Sequence, residues 1–224
     1  MQREDRAGMS LYSAAGERKY LTADEQRRFF RAAYMLGRSE FVFCLLLAWS
    51  GGRLSEVLAT RADSVDLQNE AVAIRTLKRR KPGVVRQVPM PPLVIEELQD
   101  LFNLRALQMD VGKAAGRLWS WSRSTAWRRV KRVMHDAGIG GVAASPKGLR
   151  HTFGVRAFER QIPPHLVQRW LGHASLKTTA IYGDVIGEEE RKIAERMWRN
   201  TPSDDFSEPP ALYEAIDGGD DQQG

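Results

Sequence analysis

Residues Trp170 to Val185 read WLGHASLKTTAIYGDV, with Leu171-Gly172-His173 followed nine residues later by Tyr182. The apolar spacing predicts short helices over His165 to Leu171 and Leu176 to Tyr182, so Gly172 and His173 fall in the break between them. In isolation the stretch holds a histidine at a helix start and a core tyrosine. Two upstream segments bear on it. SPKGLRHTFG, Ser145 to Gly154, opens with serine as N-cap and proline at the first helical position, which starts a helix at Lys147. LLLAWSGGRLSEVLATRADSVD, Leu45 to Asp66, ends one apolar helix at Ser50-Gly51-Gly52 and begins another near Arg53, with Leu54, Val57 and Leu58 turned to the core.

The chain around these segments alternates helical and strand patterns. Residues 1–20 show no sustained period and read as a flexible arm. Thr22-Ala23-Asp24-Glu25 is a capping box, followed by Phe29, Phe30 and Ala33 on one helix face. From Ser64 the pattern shortens to strands over Val65 to Leu67, Ala71 to Leu77 and Val84 to Met90. Lys78-Arg79-Arg80-Lys81-Pro82-Gly83 between the last two makes a β-hairpin with a very basic tip. Leu93 to Met109 returns to helical spacing. Ser124 is expected to cap a helix whose Trp127, Val130 and Met134 face inward, while Arg128, Arg129, Lys131 and Arg132 project elsewhere. The helix from Lys147 carries Leu149, Phe153, Val155 and Phe158 until Pro163-Pro164 breaks it, and a last helix is expected over Glu188 to Arg199. The reading is an α+β fold, mainly helical, with a small three-stranded antiparallel sheet. It occupies residues 21–200, between the arm and an acidic, disordered tail at 201–224.

The 224 residues suit one large domain, since domains run to about 100–200 residues. The single cysteine, Cys44, lies in the apolar run Phe41 to Trp49, so no internal disulfide forms and a reducing compartment is expected. That run is far short of the roughly 20 residues that span a bilayer, and the N-terminus leads into no signal-peptide block. A cytoplasmic protein without membrane contact is expected. The tail holds seven acidic residues and no Lys or Arg, so the remainder carries 34 basic against 21 acidic residues, a body of +13. Such a body suits a polyanionic partner. Between Val111 and His135, seven basic residues (Lys113, Arg117, Arg123, Arg128, Arg129, Lys131, Arg132) interleave with Trp119, Trp121 and Trp127 without an acid, which fits either a solvated face or phosphate contact.

Together the three segments resemble the tyrosine recombinase family of phage integrases and Xer-like enzymes. Leu45 to Asp66 is similar to its first arginine box, T/S-G-x-R-x-S-E; Ser145 to Gly154 to its second, H-x-L-R-H; and Leu171 to Tyr182 to its L-G-H-x8-Y signature. The resemblance covers Leu21 to Trp198 and implies the catalytic domain alone. Most relatives carry a further helical core-binding domain before it, whereas here only about twenty residues precede the first helix. It further implies Tyr182 as nucleophile and Arg53 and Arg150 as clamps on the scissile phosphate. His173 and Lys147 would touch that phosphate and help settle the tyrosine proton. The family's lysine falls in the hairpin, at Lys78, with Lys81 as the alternative. Lys147 departs from the family's usual histidine, and His151 is expected to be structural. Arg79, Arg80, Lys81, Arg123, Arg128, Arg129, Lys131 and Arg132 would contact DNA.

The implied reaction forms a 3′-phosphotyrosyl bond with loss of a 5′-hydroxyl, and a second strand's hydroxyl reverses it. One ester replaces another, so no ATP or other cofactor is expected. No metal is expected either, because His135, His151, His165 and His173 show no ligand spacing with each other or with Cys44. Double-stranded DNA is the implied partner, with homo-oligomers on DNA through the apolar cluster Ala211 to Ile216 of the tail. Two other functions remain open: a catalytically idle DNA-binding module of this fold, and a topoisomerase-like enzyme that relaxes supercoils without exchanging strands.

Overall fold

The computed structural model describes residues 10–77 and 83–183; the hairpin tip from Lys78 to Pro82, the expected helix over Glu188 to Arg199 and the tail lie outside them. Helix α1, Ala23–Leu36, starts at the expected capping box: Thr22 Oγ1 accepts from the Glu25 amide at 3.2 Å and the Glu25 carboxylate accepts from the Thr22 amide at 2.7 Å. Helix α2, Arg38–Ser50, buries every residue from Val42 to Ala48. A helix apolar on all sides must be enclosed. Accordingly α1 packs on it together with α4, Pro92–Phe102, α7, Arg123–Asp136, and α8, Pro146–Glu159. Phe43 of α2 meets Trp119 and Trp121 edge-on at 5.1 and 5.3 Å, and Phe102 meets Trp119 at 5.0 Å, an arrangement that suits the ring quadrupoles. Cys44 is buried within α2; desolvation pushes its thiol up, leaving a small hydrophobe.

After the short α3, Leu54–Leu58, strands β1, Val65–Asp66, β2, Ala71–Arg75, and β3, Val85–Pro89, form the antiparallel sheet in sequence order. Val72 pairs with Val88 and Ile74 with Arg86, which places all four side chains on the buried face. No helix among the described residues is long and apolar enough to cross a membrane.

Three local expectations are corrected. The helix expected over Leu93 to Met109 breaks at Asn103, which adopts φ 49°, so α4 is followed by α5, Leu104–Gln108, and by a turn of helix, α6, over Val111–Ala114. Asparagine tolerates the left-handed region better than most residues. Ser122 rather than Ser124 caps α7, its Oγ accepting from the Thr125 amide at 3.1 Å. The core face of α7 is Ala126, Val130, Val133 and Met134, which leaves Trp127 45% exposed instead of inward. The third correction concerns the arm. Residues 10–20 fold back with Tyr12 bridging Arg18, Leu11 buried, and the next residue's amide, Leu21 N–H, bonded to Thr152 Oγ1 of α8 at 2.8 Å. Leu11 joins Val155, Val167, Leu171 and Tyr182 in a second, smaller core, between α8 and the short helices α9, Pro164–Leu171, and α10, Lys177–Ala180.

The folded segment is fastened by Arg18, which donates to Glu25 through two hydrogen bonds of 2.5 and 2.8 Å. This contact, with the Thr22 amide, holds the Glu25 carboxyl down to about 2. Folding therefore favours the ionised carboxylate. The stabilisation is present above the unfolded value of 4.5 and is lost as pH falls toward 2. Calorimetric melting temperatures are expected to hold between neutrality and about pH 5 and then drop. In Arg18→Ala the drop through that acid window should be shallower, and an equally steep drop would show that Glu25 does not carry it.

Candidate active site

The site begins where α2 stops. Gly51 takes φ 57°, a left-handed C-cap that glycine adopts without strain, and a Cβ there would sit 2.6 Å from Phe153. Two residues on, Arg53 is the N-cap of α3. The third helical residue, Glu56, turns back and accepts from the Arg53 amide at 3.1 Å and from its guanidinium at 2.8 Å. Glu56 is buried and also accepts from Arg86 at 2.6 Å. Burial alone would raise its carboxyl, but Arg86 and Arg53 hold it below the usual carboxylate range.

Arg86 was not singled out from sequence, although a signal was there: it shares the inward-facing register of β3 with Val88, where a charge requires a partner. It donates Nε to the Trp170 carbonyl at 2.7 Å and a terminal nitrogen to Thr76 Oγ1 at 3.3 Å. The sheet is thereby joined to the last residues of α9.

Arg150 lies on α8, whose N-cap Ser145 accepts from the Gly148 amide as expected. Its guanidinium donates to the Gly51 carbonyl and to the Leu171 carbonyl, both at 2.7 Å. Each acceptor sits at a helix C-terminus, where carbonyls lack intrahelical partners and the dipole favours a cation. Burial, and then the nearby Arg53, lower the guanidinium to about 10, still charged at neutrality.

Gly172, at φ 64°, ends α9 and turns His173 toward the cleft. His173 Nδ1 lies 2.9 Å from Thr179 Oγ1, and its ring is parallel to that of Tyr182, 10° off, with centroids 6.3 Å apart. Tyr182 is 1% exposed and rests against Gly154, where a Cβ would come within 2.4 Å of the ring. Its hydroxyl lies 3.3 Å from His151 Nδ1. Desolvation raises the phenol to about 12 and lowers His151 to about 4, the latter helped by Lys147, Arg150 and Lys19. His151 Nε2 is buried with no hydrogen-bond partner among the described residues, a loss worth about 1–3 kcal/mol.

These groups line one cleft of about 540 Å³. Arg53, Lys147, Arg150, His173 and Tyr182 all border it, together with Arg123 and Trp127, and among the described residues that line it none is acidic. Lys147 is exposed at the start of α8. Lys78, Arg79, Arg80 and Lys81 lie outside the described residues. The basic residues of α7 divide by contact. Arg128 is exposed, Arg132 pairs loosely with Asp136 at 3.5 Å, and Lys131 donates to the Ala144 carbonyl at 2.7 Å. Arg129 pairs with Glu40 and stacks over Trp121 at 4.3 Å, which commits it to packing.

Comparison with known proteins bears on this arrangement. Residues 19–188 match the model of the phage integrase family. The tyrosine recombinase XerA of Thermococcus kodakarensis is 30% identical over 181 residues, which cover 80% of this chain and 62% of that protein. A crystal structure of XerA recombinase aligns with a TM-score of 0.65 at 28% identity, covering 80% of this chain and 64% of that one. The catalytic domain of bacteriophage HP1 integrase aligns with a TM-score of 0.60 at 16% identity, covering 82% of this chain and 98% of that one. The chain spans about three fifths of the length of the XerA relative. With its boxes gathered on one cleft and a match that extends over residues 19–188, the chain belongs to the phage integrase family and has the fold of a tyrosine recombinase catalytic domain.

Proposed function

We propose that this chain cleaves and rejoins double-stranded DNA, with Tyr182 as nucleophile. The supporting observation is the cleft that holds Arg53, Arg150, His173 and Tyr182 together, with no acid among the described residues that line it. An anion entering it meets two guanidinium groups, whose planar forks match phosphate oxygens and stay charged. In this reading the phenol oxygen attacks phosphorus and a 3′-phosphotyrosyl bond forms. The bond to the 5′-oxygen breaks, and Lys78 supplies its proton. The 5′-hydroxyl of another strand reverses the step. Bond energy is kept, so neither ATP nor a metal ion is called on. His173 and Lys147 complete the phosphate pocket. Arg123 and Arg128 extend contact along the backbone, and the hairpin residues Arg79, Arg80 and Lys81 add to it. Arg129 is set aside because Glu40 already neutralises it. We further propose that copies assemble on DNA through the tail and that the enzyme works in the cytoplasm, where DNA and a reduced Cys44 belong together.

Covalent capture on nicked duplexes of random sequence tests the core of this reading. Wild-type protein should yield a protein–DNA adduct, Tyr182→Phe none, and Arg150→Ala a rate lower by on the order of a hundredfold or more. DNA binding without any adduct would indicate an idle module. Supercoil relaxation with no exchanged strands would indicate a topoisomerase.

Lys78→Ala should slow cleavage of ordinary DNA far more than cleavage of a substrate whose 5′-bridging oxygen is sulfur, since a thiolate leaves without a proton. Equal defects on both substrates would remove Lys78 from that role, and sulfur rescue confined to Lys81→Ala would move the role there.

Affinity should fall steeply with salt, because phosphate neutralisation releases counterions. Arg123→Ala with Arg128→Ala should flatten the slope of log affinity against log salt. Removing residues 201–224 should raise affinity at low salt and reduce the stoichiometry on a two-site duplex. An unchanged slope would return α7 to a solvated face, and unchanged stoichiometry would detach assembly from the tail.

A further inference from the structure

We propose that His151 receives the proton of Tyr182 as the phenol attacks phosphorus, and returns it when the strand is rejoined. The inference rests on the proposed strand cleavage and assigns a residue outside the phosphate clamp. Among the described residues the Tyr182 hydroxyl has one hydrogen-bond partner, His151 Nδ1, at 3.3 Å. The two rings meet tilted at 55°, with centroids 6.0 Å apart. Tyr182 is 1% exposed, which limits the access of bulk water to its hydroxyl.

The surroundings of the imidazole leave it unprotonated, with a lone pair to offer. Burial first, and then the charges of Lys147 and Arg150 from its own helix and of Lys19 from the N-terminal segment, keep the ring neutral. A neutral imidazole accepts through one nitrogen only while the other carries hydrogen. Acceptance at Nδ1 therefore requires the proton on Nε2, the buried nitrogen that has no partner among the described residues. If position 151 only filled space, an apolar side chain would do so without that orphaned group. When a phosphate enters the cleft, its negative charge offsets the neighbouring cations and makes protonation of His151 easier. The proton moves from phenol oxygen to Nδ1 as the oxygen–phosphorus bond forms and the 5′-oxygen departs. Rejoining reverses each of these movements.

The test uses full-length protein and a duplex captured from a random-sequence pool by the wild type. His151→Gln and His151→Asn keep a polar side chain but no base, and each should lower the rate of adduct formation by on the order of a hundredfold. A ring-fluorinated tyrosine at position 182, whose phenol ionises nearer neutrality, should relieve most of that defect. Packing damage alone would not be relieved in this way. Sulfur in place of the 5′-bridging oxygen should leave the His151 defect standing, because the leaving group is served by another residue. Wild-type rates in both variants, or a defect that persists with the fluorinated nucleophile while melting temperatures match wild type, would overturn the assignment. Should one variant fold poorly, the other carries the measurement, and melting temperature identifies which. If wild-type protein captures no duplex, or Tyr182→Phe captures as much as wild type, strand cleavage by Tyr182 falls and this inference falls with it.

Discussion

One guanidinium holds the site together. Arg150 donates to the carbonyls of Gly51 and Leu171, residues 99 and 21 positions away, and so ties α2, α8 and α9 at one point. A buried cation is expensive unless its hydrogen bonds are met, and two carbonyls at helix C-termini meet them without adding an opposing charge. The group therefore keeps its full charge for the cleft while serving as a structural joint. Gly51, itself one acceptor, and Gly172, next to the other, let the helices end in the left-handed turn that brings the carbonyls to Arg150.

A second knot neutralises what the first does not. Arg53 and Arg86 both bond to Glu56, whose carboxylate is nearly inaccessible to water. With Glu56 removed, the buried charge of Arg86 would be left uncompensated, an effect of about 3–5 kcal/mol in comparable pairs. Arg86 also reaches the Trp170 carbonyl, so the sheet follows α9 and the residues that carry His173. The result is an electropositive wall built from four chain segments. Arg53 stays one third exposed on it, available to an anion.

Tyr182 is held differently from the arginines. It is fixed by packing against Gly154, Phe158 and the His173 ring, and among the described residues its hydroxyl has a single hydrogen-bond partner, His151. Desolvation keeps that phenol protonated, so the resting pocket combines strong fixed cations with an unionised oxygen. Preorganised charge of this kind costs no reorganisation when an anion arrives. The same small core also contains Leu11, which makes the folded segment 10–20 part of the tyrosine's support.

What the sequence determined is whatever depends on near neighbours. The capping box at Thr22, the N-cap at Ser145, the strand alternation from Val65 to Pro89 and the unbroken apolar run of α2 all act within a turn of helix or across one hairpin, and each stands in the structure where it was read. The three boxes were legible for the same reason, since each is a short run of fixed spacing. Only the tertiary structure decided which serine caps α7, that Trp127 faces the cleft rim, that residues 10–20 pack down, and that His151 touches Tyr182. It likewise decided the role of Arg86, whose acceptor at Trp170 is 84 residues away. Buried polar groups must find partners, and the partners come from whatever segment the core happens to press against them. Local spacing carries no record of that meeting, so a charge on a buried strand face or a histidine beside a helix arginine acquires its meaning only when the chain has closed.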